Sequence, residues 1–69
     1  QLIPRGTLIF SKVLKKIPND KTVFIARGVV YQDMGNHQLA INDFNKSIEI
    51  DPELSEGYFR RGFSKLYSK

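Results

Sequence analysis

The chain has 69 residues, one histidine, no cysteine, no tryptophan and a formal net charge of +4. This length holds one small unit rather than two domains, and without cysteine there is neither a disulfide framework nor thiolate chemistry. A lone histidine, His37, excludes a His-rich metal cluster, and no apolar run approaches the roughly 18 to 20 residues that cross a bilayer, so we expect no membrane segment.

Two helices are predicted in the first half of the chain. Residues 6–17 place apolar side chains three and four positions apart, which is the spacing of one helical face, and Pro18 stops the pattern. Asn19 or Asp20 can cap the next helix by accepting hydrogen bonds from its free N–H groups. That helix should end at Gly35, since glycine tolerates the left-handed conformation at a helix C-terminus.

Two further helices are predicted in the second half. Asn36 is the expected N-cap of the third helix, whose small and apolar side chains again follow helical spacing. Asp51 and Pro52 are predicted to close it, with Asp51 capping the fourth helix and Pro52 in its first turn. No segment alternates with the period of two expected of a strand. We therefore predict an all-α fold in which consecutive helices are joined by short turns and pack antiparallel.

An internal repeat organises the chain. Shifting the sequence by 34 positions aligns identical residues that include glycine, proline and phenylalanine, the types that control helix packing and helix ends. The period also explains the length, because 69 is two periods of 34 plus one. Since the chain begins at Gln1 without an initiator Met, we expect an internal piece of a longer protein. The identical pairs are Phe10 and Phe44, Lys12 and Lys46, Pro18 and Pro52, Arg27 and Arg61, and Gly28 and Gly62.

These residues resemble the tetratricopeptide repeat family, whose 34-residue unit is a helix–turn–helix. Residues 21–54 resemble one complete repeat, 5–20 the second helix of a preceding repeat, and 55–69 the first helix of a following one. The resemblance implies antiparallel hairpins stacked as an α-solenoid with a right-handed superhelix. The residues that carry it in the complete repeat are Phe24, Gly28, Tyr31, Ala40, Phe44, Ser47 and Pro52.

Three positions depart from the family pattern. Arg27 and Arg61 stand before the glycines where an apolar residue is usual, and Lys65 replaces the expected tyrosine. An arginine can bury its aliphatic stem and keep its guanidinium in water, which is what we expect at both positions. Lys65 suggests that the last helix lacks its ordinary neighbour.

The resemblance implies a function in protein–protein interaction. First helices of successive repeats line a concave groove that receives a peptide, and the apolar floor implied here favours such a ligand. The alternative is a structural array segment or a self-association element, in which the same side chains pack against neighbouring repeats or a second copy through the end helices. The groove candidates are Ile25, Val29, Asp33, Phe59, Arg60 and Phe63.

One activity of the family can be tested on the sequence. Its co-chaperones hold the carboxylate of chaperone tails with lysine, asparagine and arginine side chains. Ile25 and Val29 stand where one clamp repeat needs lysine and asparagine, Ala26 stands where the next needs asparagine, and Glu56 replaces a clamp lysine. Only Arg60 matches, so we predict no carboxylate clamp in this segment and keep Arg60 as the candidate for an acidic ligand group.

Other functions find less support. A cluster at Lys12, Lys15 and Lys16 leaves RNA binding by a helical repeat as a weaker alternative, although cations near a helix C-terminus also suit the helix dipole. His37 is predicted to be an exposed turn residue with no nucleophile or second metal ligand beside it. We therefore expect no enzyme activity and no cofactor. The resemblance and the lack of cysteine favour an intracellular, cytoplasmic protein.

Overall fold

The computed structural model describes residues 5–68, with side chains from residue 7 onward, and contains only α-helices within that range. Three connections of three or four residues join them, so consecutive helices pack as antiparallel neighbours. Helix α1 packs on α2, α2 on α3, and α3 on α4, which also touches α2. The predicted all-α architecture of stacked hairpins is confirmed. The helices are α1 (Arg5–Lys16), α2 (Lys21–Asp33), α3 (His37–Ile50) and α4 (Ser55–Tyr67).

The chain ends lie outside this description. Residues 1–4 are not among the described residues, and the same holds for the packing around Gly6. The repeat boundaries at 5–20, 21–54 and 55–69 therefore stay predictions, although each falls in or beside a connection between helices.

Local side-chain chemistry fixes the ends of α2 and the start of α3. The Asp20 carboxylate accepts hydrogen bonds from the backbone N–H groups of Thr22 and Val23, at 2.9 and 3.3 Å. Gly35 has a φ of 78°, the left-handed conformation that follows a helix end. The Asn36 side chain then accepts from the backbone N–H of Leu39. The predicted caps at these two helix starts are confirmed.

The predicted N-cap of the fourth helix is wrong. Helix α4 begins at Ser55, and its N-cap Leu54 makes no side-chain cap hydrogen bond. Asp51 is the C-cap of α3, as predicted, but it does not cap α4, because both oxygens of its carboxylate have other partners. One oxygen accepts from the backbone N–H of Glu53 at 3.1 Å, and the other accepts from Lys21 Nζ at 2.6 Å. Asp51 thus ties the end of α3 to the start of α2.

The core lies between α2 and α3. Ile25, Ala40 and Phe44 form its buried cluster, against which Val29, Tyr31 and Leu54 pack. Phe44 is fully buried and lies directly over Gly28, whose missing side chain leaves room for the ring. This confirms the packing reason for a glycine in the middle of a helix, where it otherwise costs about 1 kcal/mol relative to alanine.

Candidate functional site

A cleft of about 280 Å³ opens between the C-terminal half of α2 and the middle of α4. Four of the six predicted groove residues meet there, although α2 and α4 are separated in sequence by the whole of α3. Gln32 helps to hold the two helices together, because its amide donates to the Arg60 carbonyl at 3.2 Å and to the Ser64 hydroxyl at 2.9 Å. The residues lining the cleft are Gln32, Asp33, Phe59, Arg60 and Phe63.

Two phenylalanines form the apolar side of the cleft. Phe59 is 72% exposed and Phe63 is also exposed, one helical turn later. The Phe63 ring is 4.8 Å from the Tyr67 ring between centroids, tilted by 43°. Helical spacing thus aligns three aromatic side chains along one side of α4. Exposed aromatic side chains in a row offer a large apolar area to a ligand.

Two charged side chains form the polar side of the cleft. Asp33 is exposed at the end of α2, and Arg60 lies opposite on α4. The Arg60 guanidinium donates from Nε to Glu56 at 3.1 Å, an exposed pair one turn apart on the same helix. Exposed pairs of this kind contribute little free energy. The contact with Glu56 therefore restrains the guanidinium only weakly.

The other two predicted groove residues lie deeper in the structure. Ile25 is 7% exposed and belongs to the buried cluster, and Val29 is half-buried and packs against that cluster. Neither lines the cleft. A contribution of Ile25 and Val29 to ligand binding stays a prediction, and the contacts seen here are contacts with the core.

Arg27 keeps 21% of its side-chain surface exposed, and its guanidinium also makes three hydrogen bonds within the fold. Its Nε and Nη2 atoms donate to the two carboxylate oxygens of Asp43, both at 2.7 Å, and its Nη1 donates to Ser11 at 3.1 Å. The hydrogen bonds that the guanidinium donates to Asp43 raise the pKa of Arg27. One arginine therefore links α1, α2 and α3. Asp43 lies next to Phe44 in sequence, and both are buried on α3. A carboxylate beside a core aromatic residue needs a hydrogen-bond donor inside the fold, and this was the signal in the sequence for a partner such as Arg27.

His37 is half-buried, and the prediction of an exposed turn residue is wrong. It is the first residue of α3, its Nδ1 is 3.2 Å from the Ser64 hydroxyl, and its ring stacks on Tyr67 with 6.0 Å between centroids. The antiparallel return of α4 brings these partners to the start of α3. Within residues 5–68, no group of three acidic or histidine side chains could hold a metal ion.

A second cleft, of about 440 Å³, lies beside this contact. Its lining comes from the connection between α2 and α3 and from the end of α4.

Among the described helices, none combines the length and the hydropathy that crossing a membrane requires.

Comparison with known proteins identifies relatives of the chain. The tetratricopeptide repeat family model matches residues 22–54. Over all 69 residues the chain is 30% identical to Hsp70-Hsp90 organizing protein 3 of Arabidopsis thaliana and 28% identical to the Hsp70-Hsp90 organizing protein of Triticum aestivum, and it spans 12% of the length of each. Over 54 residues, 78% of the chain and 15% of the relative, it is 28% identical to the SGT1 homolog of Oryza sativa subsp. japonica. No solved structure gives a significant match.

Proposed function

Because the chain belongs to the tetratricopeptide repeat family, we propose that it binds a partner protein through the cleft between α2 and α4, as one segment of a larger scaffold. A role in protein–protein interaction follows from the family and from the named relatives. We assign binding, and not catalysis, to this cleft.

We choose this face because exposed aromatic rings lie there beside two side chains of opposite charge. Phe59 and Phe63 present their rings to solvent on one side of the cleft, while Asp33 and Arg60 stand at its polar side. An apolar side chain of a peptide fits against the rings, and a carboxylate of the same peptide can pair with Arg60. The ligand that suits this cleft is a short peptide with an aromatic or aliphatic anchor next to an acidic residue.

The named relatives support one class of partner for this proposal. Two of them are named for organizing Hsp70 and Hsp90, and we place this chain in a scaffold of the same chaperone-associated type. The clamp positions do not suit the carboxylate at a chaperone tail, because Ile25, Val29 and Ala26 offer no polar group and Glu56 repels an anion. This segment therefore lacks a carboxylate clamp, and we propose that it contacts its partner at the cleft instead.

The test is a peptide selection followed by measured affinities. Peptides selected on the 69-residue chain from a random library should contain an apolar anchor beside Asp or Glu. Phe59→Ala and Arg60→Glu should each weaken the binding of a selected peptide at least about tenfold, which is a loss of 1.4 kcal/mol. Ile9→Ala is the matched control, since Ile9 is an exposed apolar residue on α1, which does not contact α4. Equal affinity of Phe59→Ala, Arg60→Glu and the parent chain would remove the cleft from the proposal.

Self-association through the end helices is the second candidate. Leu8 and Ile9 on α1 are exposed, and Leu66 on α4 is 81% exposed, so both ends of the helix stack present apolar side chains. Contacts between an α1 of one copy and an α4 of another would cover them. Sedimentation equilibrium at high concentration distinguishes the two candidates, because a chain that stays monomeric does not associate through its ends.

A further inference from the structure

A series of hydrogen bonds runs from the cleft between α2 and α4 to the start of α3. The Gln32 amide lines this cleft and donates to the hydroxyl of Ser64 at 2.9 Å. Its second hydrogen bond goes to the Arg60 carbonyl at 3.2 Å. Nδ1 of His37 lies 3.2 Å from the same Ser64 oxygen. Ser64 thus joins the single histidine of the chain to a residue of the cleft, and we call Gln32, Ser64 and His37 the Ser64 network.

The Ser64 network lies where α2 and α4 have little other contact. Helix α2 packs mainly on α3 and touches α4 much less. Ser64 is fully buried, so its hydroxyl depends on partners within the protein. The two hydrogen bonds of Gln32 therefore help to set the position of α4 relative to α2, and with it the placement of Phe59 and Arg60 opposite Asp33.

The donors and acceptors of the network balance when His37 is neutral. A serine hydroxyl has one proton to donate and two lone pairs that accept. In Ser64 one lone pair accepts from Gln32, and the proton can go to Nδ1 of His37 when the imidazole carries its own proton on Nε2. The balance therefore places the ring proton of neutral His37 on Nε2.

Protonation of His37 removes this balance. A histidinium carries protons on both ring nitrogens and only donates, so the Ser64 proton must turn back to its own helix. There the Arg60 carbonyl, four positions earlier, already accepts from Gln32 and from the helical N–H of Ser64. The turned hydroxyl thus competes with Gln32 for this carbonyl. His37 is also the first residue of α3, where a positive charge is repelled by the positive end of the helix dipole and the first turn holds no acidic side chain.

Charged side chains stand away from the His37 ring in the part of the chain that the structure describes. The ring stacks on Tyr67 of α4 with 6.0 Å between centroids. Asp33 at the end of α2 and Lys65 on α4 are both exposed, and neither is among the described residues that line the cleft beside the ring. The next charged residue along α3, Asp43, is bound to α2. The effect of a charge on His37 therefore passes chiefly through its hydrogen bond and through the start of α3.

We propose that the Ser64 network positions α4 for peptide binding, and that the cleft binds its peptide more weakly when His37 is protonated. This inference rests on the function proposed for the cleft and adds its regulation by pH. Gln32 and Ser64 are positioning residues, because they act through the placement of α4. Histidine ordinarily changes charge between about pH 5 and about pH 8, and since the protonated form disturbs the network, binding falls as the pH falls through that range.

The network can be tested without any peptide by nuclear magnetic resonance on the isotope-labelled 69-residue chain. The ring nitrogens of His37 report its tautomer and its protonation, and the Gln32 side-chain amide and the Arg60 backbone amide report the cleft. We expect the Nε2–H tautomer at about pH 8, and Gln32 and Arg60 resonances that move with the same midpoint as His37 as the pH falls to about 5. The Nδ1–H tautomer, or Gln32 and Arg60 resonances that stay fixed while His37 titrates, would overturn the inference.

The affinity test uses a peptide selected on the chain at about pH 7.5, with an apolar anchor beside Asp. Its binding to the parent chain should weaken at least about fivefold between about pH 7.5 and about pH 5.5. His37→Ala removes the acceptor and should weaken binding at the higher pH. His37→Asn supplies a side-chain oxygen in place of Nδ1, so it should rescue the affinity but not the pH dependence. A pH dependence that persists in His37→Asn belongs to another group and contradicts the proposal.

Gln32→Ala tests the positioning role, with Gln38→Ala as its matched control. The first variant should weaken binding at least about fivefold at the higher pH and should lose the pH dependence, because the cleft no longer has a hydrogen bond to Ser64. Gln38 is an exposed glutamine that bonds to Asn42 outside the network, so Gln38→Ala should keep both properties of the parent chain. The helical circular dichroism of both variants should match that of the parent. A parent-like pH dependence in Gln32→Ala would show that the network does not transmit the charge.

Failure of the function proposed for the cleft gives a different result. Phe59→Ala would then leave the affinity of the selected peptide unchanged, while the Gln32 resonances would still follow the titration of His37. That outcome removes peptide binding from the cleft and with it the binding half of this inference. Fixed Gln32 resonances together with a loss of affinity in Phe59→Ala would instead keep the cleft and overturn the network.

Discussion

Phe44 Cε1 lies 2.5 Å from the point where a side chain on Gly28 would begin. The ring is fully buried among close-packed neighbours, so a shift away from Gly28 disturbs the core. Gly28→Ala should therefore lower the free energy of unfolding by about 1–3 kcal/mol through overpacking. Gly62→Ala is the matched control 34 positions later, where the added methyl group has free space, so it should raise stability by about 0.5–1 kcal/mol. Urea unfolding followed by circular dichroism measures both, and equal effects of the same sign would contradict the packing argument.

The Arg27–Asp43 pair should be strongly coupled. Asp43 keeps only 5% of its side-chain surface exposed, whereas Arg27 keeps 21%. Arg27→Ala leaves a buried carboxylate without its partner and should cost about 3–5 kcal/mol. Asp43→Ala should cost less, because the longer arginine can reach water.

A double-mutant cycle measures the coupling of this pair. The two losses should overlap by about 0.5–3 kcal/mol in the double variant. Losses that simply add in chemical denaturation would show that the two side chains act independently.

Acid should weaken the ion pair between Asp51 and Lys21, which links the end of α3 to the start of α2. The hydrogen bond from Lys21, followed by that from the Glu53 backbone, lowers the pKa of Asp51. A carboxylate with a lowered folded-state pKa stabilises the fold above its unfolded pKa of about 3.9 and loses that contribution as pH falls through the folded-state value. Asp51→Asn should therefore reduce the melting temperature at pH 6 and reduce it less as the pH falls below about 4. A difference that stays constant from pH 6 to pH 2 would contradict this role.

Alanine substitutions at two phenylalanines should distinguish an effect on folding stability from an effect on ligand binding. Phe44→Ala removes a fully buried ring and should cost about 3–5 kcal/mol, a large part of the stability of a chain this short. Phe59→Ala removes a ring that is 72% exposed and should change stability by less than about 0.5 kcal/mol. Thermal melts of the two variants give the comparison. A clear loss of stability in Phe59→Ala would mean that its effect on binding cannot be assigned to the cleft.

The sequence by itself determined the helices and the way α2 and α3 pair. Gly28 and Phe44, 16 positions apart, indicate that two helices approach closely. The ends of the helices are indicated by Asp20, Gly35 and Asn36. These signals can be read along the chain, because capping groups lie within a few residues of their partners and helical periodicity marks the buried face. The repeat of 34 positions predicted the order in which the helices pack along the stack.

Tertiary structure alone decided which polar side chains have partners. Arg27, His37 and Asp51 have the same local sequence signals whether they face water or another helix, and their partners Asp43, Ser64 and Lys21 lie 16 to 30 positions away. The cleft is decided in the same way, since Asp33 meets Phe59 and Arg60 only after α3 turns the chain back. Periodicity shows which side of a helix is buried, but the choice of partner depends on what lies across the gap between helices, and that is set by packing.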